Sequence, residues 1–169
     1  MMGKKLILIG GPMGSGKTTV SKILNNTVHH SAFLDGDWCW KINPFIVNEE
    51  NKRMVFSNIH FLLNSFISNT TTNTIIFCWV MDEQEIIQRI LTGLDLLNVE
   101  VTSFSLLPSP EKLTSNIEKD ILLGIRNIED INRSISRLPK YQGVASIHID
   151  TTFLTATETA DKIIDMTTA

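Results

Sequence analysis

The stretch Gly11-Pro12-Met13-Gly14-Ser15-Gly16-Lys17-Thr18 limits what this chain can fold into more than any other. It fits the spacing G-x-x-x-x-G-K-[ST] and follows the apolar run Lys4–Gly10 (KKLILIG). It opens onto residues 17–26, where Val20, Ile23 and Leu24 share one helical stripe. A strand that turns through glycines into a helix can aim backbone N–H groups inward, with no Cβ to hold an anion off. The helix start adds the positive end of its dipole, and a lysine there adds a mobile ammonium. Such a loop suits a chain of phosphates, with Lys17 on the β- and γ-phosphates and the Thr18 hydroxyl on Mg²⁺. Gly11, Met13, Gly14, Ser15, Gly16, Lys17, Thr18 and Thr19 are therefore the expected nucleotide-binding residues.

The rest of the chain alternates between two kinds of segment. Residues 32–35, 74–80, 99–107 and 144–150 read as further strands; TIIFCWV at 74–80 is β-branched and aromatic enough for the sheet centre. Val55, Ile59, Leu62 and Phe66 recur at helical spacing and place a long helix over about 49–68. Asp82 with Glu85, and Thr155 with Glu158, have the spacing of capping boxes, and Ser109-Pro110 supplies a cap followed by a proline at the first helical position. Five apolar strands, each followed by a helical segment, indicate a parallel α/β sheet covered on both faces. Ligands of such folds collect at the carboxyl ends of the strands, so the residues just after each strand carry the functional information.

Phe33-Leu34-Asp35-Gly36-Asp37 puts two carboxylates at the end of the second strand. One can hold Mg²⁺, which takes few protein oxygens and keeps several waters; the other can take the proton of an attacking hydroxyl. The combination of GGPMGSGKTT with FLDGDW resembles the small P-loop kinases of the nucleoside-monophosphate-kinase fold, among them the gluconate, shikimate and adenylylsulfate kinases. That resemblance implies a three-layer P-loop NTPase fold, with a five-stranded parallel sheet of order 2-3-1-4-5 and a small helical lid. It implies ATP and Mg²⁺ as cofactors, Thr18 and Asp35 as the metal-side residues, and Asp37 as the group that meets the acceptor. The third strand departs from the pattern: Cys78-Trp79-Val80 lacks the arginine that several of these kinases place nearby, which weakens the case for an acidic or phosphorylated acceptor.

The acceptor region is expected at about 38–70. There Trp38 and Trp40, with Trp79 after the third strand, can stack on a ring, and Arg53 can pair an anionic group. Asp37, Trp38, Arg53 and Trp79 are the expected substrate-binding residues. Residues 120–141 are expected to form the lid. Read as one helix, this stretch puts Arg126, Arg133 and Arg137 on one face, where they can neutralise a transferring phosphoryl group. Glu129 and Asp130 stand four and three residues before Arg133 and compete for it. Lys17, Asp37, Arg126 and Arg137 are the expected catalytic set.

A chain of 169 residues suits one domain, expected over 1–169. A net charge of −3 gives no basic footprint for nucleic acid, and no apolar run is long enough for a membrane span. Cys39 and Cys78 read as reduced thiols of a cytoplasmic protein, and His29, His30, His60 and His148 show no metal-ligand spacing. The expected activity is transfer of the γ-phosphoryl group of ATP to a hydroxyl of a small metabolite. A nucleotide or nucleoside kinase is the second reading, and an ATP-binding switch is a third, of a different class. The GTP-reading element N-K-x-D is not complete: Asn51-Lys52-Arg53-Met54 lacks the acid.

Overall fold

A computed structural model describes residues 3–168. The central strand is β1 (Lys4–Gly10), with β3 (Thr74–Cys78) on one side and β4 (Val99–Leu106) on the other. β2 (Ser31–Asp35) lies outside β3, and β5 (Ile147–Ile149) lies outside β4. The order is β2-β3-β1-β4-β5 and all four pairings are parallel, as the sequence leads one to expect. The registers Asp35↔Cys78, Ile9↔Cys78 and Ile9↔Phe104 bring the carboxyl ends of four strands level at one edge. The chain winds to one side of β1 first and to the other later, which opens a crevice at that edge.

Alternation along β1 feeds two cores. Leu6 and Leu8 pack with Val55, Ile59 and Leu63 of α2 (Glu49–Ser68) and with Ile87 and Ile90 of α3 (Gln84–Thr92). Ile7 and Ile9 pack with Val20 and Leu24 of α1 (Lys17–Thr27) and with Ala160 and Ile163 of α6 (Ala156–Thr168). Each fully buried aliphatic side chain contributes about 1.5–3 kcal/mol, so these two stripes fix the helices on opposite faces. No helix among the described residues is long and apolar enough to cross a membrane.

Two of the three expected caps form. Thr155 and Glu158 bond reciprocally, Thr155 N–H to Glu158 Oε2 at 2.8 Å and Glu158 N–H to Thr155 Oγ1 at 3.1 Å. Ser109 Oγ accepts from Lys112 N–H ahead of α4 (Pro110–Leu122). Asp82 does not cap α3: the N-cap is Glu83, with no side-chain bond, and Asp82 is only 2% exposed. Its carboxylate accepts from Arg137 Nη1 at 2.6 Å, with Lys140 Nζ at 3.7 Å. A buried charge needs a cation more than α3 needs a cap.

Two strands are shorter than the apolar runs suggest. β3 stops at Cys78, and β5 covers only residues 147–149, because Val144 N–H closes a turn onto Tyr141 O. The single helix expected over 120–141 is broken. Gly124, at φ +70°, ends α4 in a Schellman turn, with Ile125 N–H on Asp120 O and Gly124 N–H on Ile121 O. A second helix, α5 (Glu129–Ile135), and a 3-10 turn over Leu138–Gly143 follow. The three arginines therefore do not line one face: Arg126 pairs with Asp120, Arg133 with Asp130 and Arg137 with Asp82.

These pairs differ in burial, and their worth follows. Arg137→Ala leaves Asp82 with a distant lysine only and is expected to lower unfolding free energy by about 2 kcal/mol. Arg133→Ala, where the arginine is 57% exposed and Asp130 keeps the Asn127 N–H as a donor, is expected to change it by less, about 0.5–1 kcal/mol. Urea unfolding of the two variants checks the ranking.

Candidate functional site

The loop between β1 and α1 is tied down from the far end of the chain. Gly11 N–H donates to the Tyr141 hydroxyl at 3.1 Å, Ser134 Oγ donates to Met13 O, and Asn116 Nδ2 donates to Gly14 O at 3.0 Å. At Gly11, φ is +149° and a Cβ would fall 2.5 Å from Ser15 Oγ and 2.8 Å from Leu106 O, so no larger residue fits. α1 starts from Gly16 with no capping side chain, which leaves its first amides free for an anion. Ser15 Oγ is buried and has no hydrogen-bond partner among the described residues. Lys17 Nζ folds over the loop onto Pro12 O at 2.8 Å. Burial draws the Lys17 ammonium down to about 8, more than Cys78 and Asp37 nearby can restore.

Asp35 ends β2 beside this loop and is 5% exposed. Its Oδ2 accepts from Thr18 Oγ1 at 2.7 Å, and its Oδ1 accepts from Asp37 N–H at 3.0 Å, capping the 3-10 turn Gly36–Trp40. One carboxylate thus joins the first turn of α1 to the backbone of Asp37. The Thr18 hydroxyl and Asp35 carboxylate are hard oxygen donors of the kind Mg²⁺ takes one or two at a time, so this pair fits a magnesium site. Asp37 is held from its other side: Trp79 Nε1 donates to Asp37 Oδ1 at 3.2 Å. Among the described residues Asp37 Oδ2 has no hydrogen-bond donor. The indole of Trp79 is set by Phe56 and Phe77, with edge-on ring contacts at 5.6 and 6.5 Å. It also covers Gly36, where a Cβ would lie 2.5 Å from its Cγ.

Beyond the loop lies a cleft of about 400 Å³. Gly14, Ser15, Gly16, Lys17, Thr18 and Thr19 form one wall; Lys112, Asn116, Lys119 and Arg126 face them, and Thr151 and Thr155 close the end. Four cations in a chain of net charge −3 thus converge on one cleft, with Asp120 holding Arg126 at 2.8 Å. The sequence reading singled out Arg126 but missed Lys112, Asn116 and Lys119. Their spacing at i, i+4 and i+7 on a capped helix was the available signal.

A second pocket, of about 590 Å³, is lined by Asp37, Trp40, Lys41, Ile42, Asn43 and Phe45. Three expected substrate-binding residues stand elsewhere. Trp38 packs edge-on against Phe33 at 5.1 Å, Trp79 is engaged with Asp37, and Arg53 is exposed on α2. Arg137, expected to be catalytic, is absent from the lining of the phosphate-loop cleft because it serves buried Asp82. Cys39 and Cys78 are free and buried, with the Cys78 thiol pushed up to about 12 by desolvation.

A family model described as an AAA domain matches residues 7–119, from β1 through most of α4. No curated protein matches the chain. Among solved structures, the tunicamycin resistance protein of Deinococcus radiodurans aligns at TM-score 0.74 with 19% identity, over 97% of this chain and 95% of that one. Shikimate kinase from Acinetobacter baumannii, in complex with shikimate, aligns at TM-score 0.64 with 21% identity, over 98% and 93%. A gluconokinase from Sinorhizobium meliloti 1021 aligns at TM-score 0.65 with 12% identity, over 99% and 95%. At these identities the likeness is one of fold, and the fold is that of small P-loop kinases.

The low Lys17 value has a direct consequence for stability. Its folded value of about 8 lies below the ordinary 10.5, so keeping the half-buried, desolvated ammonium charged costs stability below pH about 8. That cost is relieved as pH rises from about 8 towards 10.5, where only the folded form has lost the proton. Lys17→Met is expected to melt a few degrees higher than the parent in nucleotide-free buffer at about pH 7, with the gap narrowing by about pH 10. Thermal unfolding at both values checks the sign.

Proposed function

Given that the chain belongs to the AAA-domain family, we propose that it is an ATP-dependent kinase that transfers the γ-phosphoryl group to a hydroxyl of a small molecule. One observation carries this reading: Asp35 links the phosphate-loop threonine on one side to Asp37 on the other. A nucleotide-binding loop needs only the first contact. The second fixes a carboxylate facing a separate pocket, which is what a two-substrate enzyme requires.

In this reading the amides of the glycine loop and Lys17 hold the phosphate chain, and Lys112, Lys119 and Arg126 offset its charge across the cleft. Bound ATP would supply the phosphoryl group; Thr18 and Asp35 would hold Mg²⁺, whose chemistry there would be to offset the negative charge of the phosphate oxygens. Asp37 Oδ2 receives the acceptor's proton as the new oxygen–phosphorus bond forms and the bond to the departing diphosphate breaks. Trp79 keeps Oδ1 occupied, so Oδ2 stays turned to the acceptor. Arg126, which lines the cleft, is in this reading the lid arginine that acts on the phosphates.

Asp37→Asn is expected to abolish acceptor-stimulated ADP release while leaving Mg-ATP affinity within about twofold. If Mg-ATP hydrolysis is slow and indifferent both to added metabolites and to this change, the chain is a switch and no kinase. Trp79→Phe keeps a ring over Gly36 but removes the indole N–H. It is expected to lower kcat about tenfold, the loss of one oriented hydrogen bond, without altering nucleotide affinity. Coupled ADP-release kinetics and calorimetry separate the two effects.

A further inference from the structure

The pocket beside Asp37 has a charge and shape that narrow its ligand. Its walls are the rings of Trp40 and Phe45, with centroids 5.4 Å apart and planes tilted by 42°, together with Ile42. Phe45 is 66% exposed, and the adjacent Ile46 and Val47 carry the apolar surface outward. The formal charges on the lining are Asp37 and Lys41, which cancel. Neutral hydrogen bonding comes from Asn43.

No arginine among the described residues lines this pocket. Arg89 lies 3.9 Å over the Phe56 ring, Arg126, Arg133 and Arg137 each hold a carboxylate, and Arg53 is exposed on α2. A phosphorylated or multiply acidic acceptor would need forked guanidinium contacts and would meet the Asp37 carboxylate instead. The molecule divides its charge: Lys17, Lys112, Lys119 and Arg126 serve the phosphate-loop cleft, while the neighbouring pocket is apolar and balanced.

We propose that the acceptor is an uncharged, hydroxyl-bearing molecule built on a flat apolar ring, which lies against Trp40 and Phe45 while its hydroxyl meets Asp37. This rests on the reading of Asp37 as the acceptor-side group. The aromatic wall supplies area and stacking, and the absence of a forked cation selects against phosphate and sugar-acid analogues.

Saturation-transfer NMR on the full chain tests this without relying on turnover. The probes are uridine and phenyl glucoside, each neutral with a ring, against uridine monophosphate and gluconate. The two neutral probes are expected to bind, and the monophosphate to bind more weakly than uridine. Phe45→Ala, at an exposed position that leaves the core intact, is expected to weaken both neutral probes about tenfold, while Arg53→Ala leaves them unchanged. Tighter binding of the monophosphate or of gluconate than of the neutral probes overturns the proposal, as does full affinity in Phe45→Ala. Calorimetry with Mg-ATP reads the kinase assignment separately: its failure there leaves the NMR result standing, and neutral probes that bind without stimulating ADP release uphold the pocket chemistry while removing phosphoryl transfer.

Discussion

The carboxylate of Asp35 is the contact on which the arrangement of this molecule turns. It is buried at the end of an outer strand, and each of its oxygens is committed. A charge so placed persists only where donors meet it, and the donors here belong to two different parts of the chain. Through Thr18 it registers β2 against the first turn of α1; through the amide of Asp37 it shapes the turn that follows. Neither the phosphate loop nor the acidic turn can shift without costing a charge-assisted hydrogen bond.

A second level of order surrounds this one. Trp79 leaves β3 one residue past the last paired position and lays its indole over a glycine, reaching the side chain of Asp37. Three successive strand ends, β1, β2 and β3, thus contribute a phosphate loop, a bridging acid and an indole to one small volume. Parallel strands make this possible, because all of them deliver their last residues to the same edge. On the opposite side, α4 supplies amide and ammonium groups from a single helical face.

Much of this was legible in the chain itself. The glycine-lysine-threonine spacing marks a loop whose backbone requirements few other residues meet, and the alternation of apolar runs with helical stripes gives the parallel sheet, while its strand order came from the resemblance to small P-loop kinases. The parts that escaped are those decided by long-range pairing. Asp82 has the local spacing of a cap, and only the arrival of Arg137, more than fifty residues later, explains why it turns inward. Trp79 looks like a residue free to stack, since nothing local indicates that Asp37 will accept its N–H. The continuous helix over residues 120–141 was misread for a different reason: helical periodicity outweighed Gly124, although a glycine directly after an apolar run is a recognised stop signal.

The anchoring of the glycine loop by Tyr141 and Ser134 sets a condition on how the molecule is built during synthesis. These contacts span 130 and 121 residues. The signature octapeptide emerges from the ribosome well before the side chains on which its shape depends. Loop closure over such separations comes late, after the local helices have formed. A nascent chain therefore carries the motif long before it can grip an anion, and affinity for nucleotide arrives together with the completed sheet.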